Sequence, residues 1–406
     1  MSLGKITGLY LIATTSSACI LPFCGSVIKK LGVRSYATLV SLCLALACFA
    51  ISSANSPVTL LFSFFGLRFF GQGNLFNVAI VFINNWWCES RGTAMGVAGA
   101  AVSAFLLGLT PIIMMHLIET SGWRGCYRYL GAAEVVGAVI AAITWREAPE
   151  MYGVLPDGKY DYKVTHGMGK RKNSNLLPPS TSGPPDANIE APPLNNPTFL
   201  TYILGDLLMA LTGTAFYFNL QQIVLDNPNI PDSTVTIVYP FMAVVGIVGR
   251  IVSGRMIDKL GHQLVFTSAL AASSLSLLLI PTMNNFTILV AAPLMGYGMS
   301  ASGNVRGTVH AEFYGRNNLG RLQSIASSAT VLGSALGPFP FGVAHDMTGK
   351  FDAAMYAGGF ASAVMTLVVF KFGANPRLAG REGKYEMVGI GGGREEEDVE
   401  DGEGKK

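Results

Sequence analysis

The chain has 406 residues, of which half are apolar and only 13% charged, and its mean hydropathy is +0.42. A soluble domain carries about 25% charge, so a water-facing globule is excluded, and a net charge of +3 is too mild for a nucleic-acid binder. Apolar blocks longer than the roughly 18 residues that cross a bilayer recur along the chain. They predict an all-α polytopic membrane protein whose first partner is lipid.

In chain order, the first block, "MSLGKITGLYLIATTSSACILPF", is too long for a signal-peptide core and runs directly into Lys29, Lys30 and Arg34, which predicts a spanning helix over 6–28. Helices over 35–54, 58–87, 93–118 and 125–145 complete a group of five. The interval 147–197 holds "LLPPSTSGPPDANIEAPPLNNP" and reads as a disordered linker. Six further helices follow over 198–224, 233–254, 262–281, 285–311, 320–345 and 351–371, and the chain ends in an acidic low-complexity tail. The expected domains are a bundle over 1–146, the linker, a bundle over 198–373, and a tail over 374–406. The six cysteines lie mostly inside apolar blocks without metal-ligand spacing and read as small packing residues. Nothing calls for a cofactor or metal. A phosphate-binding loop, a nucleophile–base pair and zinc-spaced His/Cys sets are all missing from the sequence, so neither an ATP motor nor an enzyme is expected.

Lysine and arginine set the expected orientation. Lys29, Lys30, Arg34, Arg91, the linker, Arg255, Lys259, Arg316 and Arg321 fall on one side, whereas "SSANSP", "DNPNIPD" and "TMNNF" on the other carry no positive charge. The first side, with linker and C-terminus, is expected to be cytoplasmic, in a plasma membrane or else an organelle membrane.

Two loops repeat. "GSVIKKLGVR" at 25–34 and "GRMIDKLGHQ" at 254–263 share a G-x-x-x-x-K-L-G frame through Gly25, Lys30 and Gly32, and through Gly254, Lys259 and Gly261. In each half a Gly-rich helix ("RFFGQGN", "GYGMSASG") then precedes an aromatic-plus-Arg loop ("NWWCESRG", "EFYGRNNLG"). A duplicated half is the reading, as in transporters built from two parallel repeats. Two helices precede the loop in the second half and one in the first, so a twelfth helix is expected ahead of the first block, through a late start or an eleven-helix variant.

Ionisable groups inside spans are functional candidates by default. They are Arg68, Glu134, Asp206, Arg250, Arg306, His310 and Glu312. Arg250 suits an anion, because a guanidinium stays charged and offers paired donors to a carboxylate; the alternative is a snorkelling arginine in the loop's charge network. Arg306 shares a helix face with His310 and is either a second cationic site or the partner of Glu134 or Asp206. Glu134, Asp206 and His310 are candidates to carry a coupling proton. Phe216 and Tyr217, in "TAFYFNLQQ", either line a cavity or pack against lipid and helices.

These residues resemble the major facilitator superfamily. Its signature loop, approximately G-x-x-x-D-[RK]-x-G-[RK], is matched by Gly254, Asp258, Lys259 and Gly261. Arg68 resembles the arginine of its fourth-helix motif, and "GSALGPFPFG" is similar to its Gly-Pro motif. The "WW-x-x-x-RGTAMG", "SGWRGCYRYLG" and "FGVAHDMTGKF" stretches most resemble the oxalate/formate antiporter and monocarboxylate transporter-like branch. The resemblance implies two pseudo-symmetric six-helix bundles, here with about eleven helices seen, that rock about a central site. A monomer would suffice. It implies that Asp258 latches the cytoplasmic side, that Lys29 in the matching place opposes such a latch, that Arg250 binds the substrate anion, and that Arg68 serves structure or proton coupling. The oxalate exchanger's second cationic residue has no counterpart over 320–345, and Gly246 stands where monocarboxylate transporters place an acid. The expected function is secondary transport of small organic anions by proton symport or exchange. A carrier of another solute, or a non-transporting sensor of the same shape, are the alternatives.

Overall fold

The computed structural model describes residues 3–152, 154–158, 195–227, 230–231, 233–282 and 284–376. The tail over 377–406 and most of the expected linker lie outside the described residues. Apolar stretches fold as helices here because lipid offers no partner for a bare N–H or C=O. Eleven helical passages result among the described residues. The first bundle holds α1 (Leu3–Leu31), α2 (Val33–Ser52), α3 (Pro57–Trp86), α4 (91–121) and α5 (123–144). The second holds α6 (Pro197–Leu225), α7 (Thr234–Leu260), α8 (His262–Leu279), α9 (Asn285–Tyr314), α10 (319–348) and α11 (Asp352–Phe372). Nine helical runs among the described residues are long and apolar enough to cross a membrane, one of them, Thr110–Thr144, taking in the end of α4 and all of α5. The passages match the expected five and six, and no β-strand occurs among the described residues.

Local chemistry sets the breaks. Ser56 and Asn284 form capping boxes with Thr59 and Thr287, which fixes the starts of α3 and α9. Between α4 and α5 the chain turns at Gly122, whose φ of 67° favours glycine. At the end bearing the repeated loops, Gly32 and Gly261 adopt nearly one conformation (φ 80°, ψ 163° and φ 84°, ψ 167°), so the sequence repeat is also a backbone repeat. This end is called the loop face below.

The bundles meet along two seams, α1 against α10 and α4 against α7. Both crossings are made by paired glycines. A Cβ at Gly254 would run into the Gly92 carbonyl and the reverse, while a Cβ at Gly25 would run into the Gly320 carbonyl. Association in lipid relies on such close approach rather than on apolar burial. Phe62, Phe218, Phe360 and Leu367 point outward from the helices, as a lipid-facing belt requires.

The interval expected as linker begins folded. Residues 149–152 and 156–158 form helical turns, and their carboxylates bind the loop face as described below.

Candidate functional site

A cavity of about 330 Å³ lies between the bundles. The second bundle supplies most of its wall: Asp206, Met209, Ala210, Thr214 and Tyr217 from α6, Met242, Gly246 and Arg250 from α7, Met299, Ser300, Ser302 and Arg306 from α9, and Thr330 and Ser334 from α10. The first bundle adds Gln72 of α3 and Ser103 of α4.

Two cations face this space in different circumstances. Arg306 Nη1 donates to both oxygens of buried Asp206 at 3.1 and 3.3 Å and to Thr330 Oγ1 at 3.2 Å. Ser302 Oγ donates to the same carboxylate at 3.2 Å, and the Thr330 hydroxyl donates as well. Arg306 is therefore neutralised, the salt-bridge alternative raised for it above. Arg250 is not. No carboxylate pairs with it among the described residues, and its Nε is buried without a hydrogen-bond partner. Its guanidinium fills a slot between two glycines: a Cβ at Gly99 of α4 would stand 2.8 Å from Nη1, and one at Gly303 of α9 would stand 3.3 Å from it. One acid against two arginines leaves the cavity one positive charge in excess, and a buried, unpaired cation attracts an anion strongly in a low dielectric.

The other candidates distribute as follows. Tyr217 lines the cavity, but Phe216 does not; it is fully buried in the apolar core of the second bundle with Leu220 and Met242, a correction to the expected pairing. Successive helical residues are turned by about a quarter circle, so adjacent aromatics cannot share one face. Arg68 bonds Gln72 and stacks 4.6 Å over the Tyr10 ring, one side chain removed from the cavity. Glu134 stands half-exposed on α5 and lines no part of the site. His310 is buried one turn beyond Arg306, against the Phe199 ring, with Nδ1 unpartnered. Glu312 lies beyond it at the loop face, 2.9 Å from Arg91.

The sequence profile of the Major Facilitator Superfamily matches residues 1–268 and, in a second match, 199–390. The chain belongs to that superfamily. Among solved structures, the human organic anion transporter TETRAN is similar with a TM-score of 0.68 at 13% identity, covering 90% of this chain and 83% of that one. The E. coli fucose:proton symporter is similar with a TM-score of 0.62 at 12% identity, covering 91% and 97%. At such identities the likeness is one of fold. No curated protein sequence matches the chain. Major facilitator proteins are multi-pass membrane transporters, and this chain has their fold.

In this major facilitator protein the loop face is closed by contacts across the bundles. The Asp258 carboxylate accepts the N–H groups of Gly92 and Thr93 at 2.7 and 2.8 Å and the Thr93 hydroxyl at 2.6 Å. It thus caps the positive end of α4 from the opposite bundle. Lys29, its counterpart in the first repeat, is exposed and makes no hydrogen bond or ion pair among the described residues. Lys30 and Lys259 are likewise exposed, and Gly32 and Gly261 serve as turns.

Three acids missed in the sequence complete this face. Glu147 accepts the N–H groups of Val33 and Arg34 at 2.6 and 3.1 Å, capping α2. Glu150 pairs with Arg316 across the bundles at 2.8 Å. Asp157 accepts from the backbone of Cys88, Glu89 and Ser90 at 2.9–3.1 Å. Their one signal was acids directly following the last helix of a bundle, within reach of uncapped helix starts.

Proposed function

We propose that this protein is a secondary active transporter of small organic anions that works by alternating access, with Arg250 as the anion's anchor. The observation that carries the reading is the unpaired guanidinium of Arg250 in a cavity whose other arginine is already neutralised. The cavity is of ligand size, and its hydroxyl-bearing walls (Ser103, Ser300, Ser302, Thr330 and Ser334) suit carboxylate oxygens beyond those held by Arg250. Monocarboxylates and oxalate- or formate-like anions are the favoured substrates. The fold likeness to an organic anion transporter agrees with the reading, although a sugar symporter has the same likeness. The loop face is cytoplasmic on this reading, by its lysines and arginines, so the closed loop face makes this the outward-facing half of the cycle.

Uptake of labelled pyruvate, lactate, formate and oxalate into proteoliposomes, with and without a pH gradient, tests it. Uptake of at least one anion is expected, and Arg250→Ala should lower it roughly ten- to a hundredfold, the loss of a charge-assisted bond of about 1.5–3 kcal/mol. Equal uptake by Arg250→Ala, or uptake of a neutral sugar in place of all four anions, would move the protein to another substrate class.

A further inference from the structure

Among the described residues the first bundle gives the cavity two side chains, Gln72 and Ser103, and Gln72 has the longer reach. Its backbone is firmly seated. Residues Leu67–Leu75 of α3 wind as a π-helix, a widening that is frequent at functional sites. Buried Asn74 supports it, donating through Nδ2 to the Phe69 carbonyl at 2.9 Å and accepting the Tyr36 hydroxyl at 2.6 Å. The glycines on either side of Gln72 lay this turn against its neighbours: a Cβ at Gly73 would run into Leu21 of α1, and one at Gly71 would touch Leu44 of α2. Gln72 itself is exposed in the cavity wall.

The direction of its amide follows from Arg68, whose Nη1 donates to Gln72 Oε1. A guanidinium has five donors and no acceptor, so the oxygen is the end of the amide that faces it; the reverse would set N–H against N–H. The Nε2 end, with two donors, makes no hydrogen bond among the described residues. Arg68 meets no carboxylate there either, and its charge lies over the Tyr10 ring. A donor polarised by a charge behind it binds an acceptor more firmly. The cavity thus offers an anion two grips, the Arg250 guanidinium from α7 and the Gln72 amide from α3, one on each bundle.

We infer that Gln72 is a specificity-determining residue that grips an oxygen at the end of the cargo away from the carboxylate on Arg250, and that Arg68 is the positioning residue that aims its amide. The assignment rests on the anion reading of the cavity and deepens it from the carboxylate to the rest of the molecule. The carried class is a short organic anion with a second oxygen function, a hydroxyl, a carbonyl or another carboxylate, rather than a plain fatty acid. A second carboxylate meets no acid in the first-bundle wall, and the Arg68 charge lies behind the amide that receives it. Since the two grips belong to different bodies, a cargo with two polar ends spans the gap. A cargo with one fills the Arg250 slot, leaves Gln72 in water and does nothing to draw the bundles together.

Protein-dependent uptake of labelled butyrate, 4-hydroxybutyrate and succinate into proteoliposomes tests this, because the three share a chain length and one carboxylate and differ at the far end. The unaltered protein should carry the two oxygen-bearing anions about tenfold or more faster than butyrate, as a site built to bond an oxygen rejects the analogue without it. Gln72→Leu should bring both down to the level of butyrate. Gln72→Glu keeps Arg68 paired but offers the cargo acceptors alone. It should therefore carry 4-hydroxybutyrate, whose hydroxyl donates, about tenfold faster than succinate, a reversal that a misfolded carrier cannot show. Arg68→Leu should cut the preference over butyrate about threefold, the scale of one hydrogen bond, and Arg68→Lys, which still donates to the amide oxygen, should restore it. A preference that survives Gln72→Leu, or a Gln72→Glu carrier that takes succinate as readily as 4-hydroxybutyrate, would overturn the assignment and leave the anion reading in place. So would an unaltered protein that takes butyrate as readily as the other two, or one that takes pyruvate or formate and none of the three. Failure with these three and with pyruvate, lactate, formate and oxalate alike would overturn the anion reading, and the assignment with it.

Discussion

The two copies of the repeated loop part company at one position. Both copies end in a glycine with the same backbone conformation, and both send a glycine, Gly25 or Gly254, into contact with a glycine at the start of a helix in the other bundle. In the second copy Asp258 then caps that helix start; in the first Lys29 stands free of it. The difference separates two physical demands. Glycine at the crossing is steric, because two backbones approach too closely for a Cβ, and each seam needs it. The carboxylate is energetic and reinforces a seam already formed. Two seams of one geometry therefore differ in strength, and the α4–α7 seam is the one held at the loop face by charge on a helix terminus.

The steric half of this comparison has the largest expected effect. Gly25→Leu and Gly254→Leu should each disfavour the closed loop face by about 1–3 kcal/mol, the usual cost of overpacking, seen as longer distances between spin labels placed across that face. Tolerance of leucine at one site but not at the other would break the claim that the crossings are equivalent. A smaller effect is expected of Asp258→Ala, about 1 kcal/mol or a fivefold shift toward opening, the typical value of a lost helix cap. Lys29→Ala should leave the same distances unchanged; a matching shift there would mean the copies are not unequal. Smallest is a gain. Lys29→Asp supplies the missing anion at the start of α10 and should favour closure by about 0.3–1 kcal/mol, read as a narrower distance distribution and slower net transport.

The helices were legible because an apolar run of spanning length has one solution in lipid. The repeat was legible because its glycines are fixed by sterics. Within the site, Arg250 stood out as a charge inside a span, and Asp206 as a partner for Arg306. The assignment of Phe216 to the cavity failed for want of phase. Spacing cannot tell which of Phe216, Tyr217 and Phe218 faces inward, and the three point to core, cavity and outside in turn. Gln72 and Ser103 were missed because neutral polar residues carry no penalty large enough to announce themselves. Glu147, Glu150 and Asp157 were read with the polar interval they begin, and their use depends on partners far away in sequence: a helix start 114 residues from Glu147, the turn ahead of α4 for Asp157, and Arg316, 166 residues from Glu150.

The slot that holds Arg250 has a wall from each bundle, Gly99 on one side and Gly303 on the other. The guanidinium thus reports on the gap between two bodies as well as on its own helix. When the bundles part, one wall leaves, and the pocket that gave the arginine its aim no longer exists in the same form. On the proposed function, in which Arg250 anchors the cargo, affinity is then a property of the gap, different in the two states. By reciprocity, whatever occupies the arginine must push on the gap with the same free energy that the gap exerts on it.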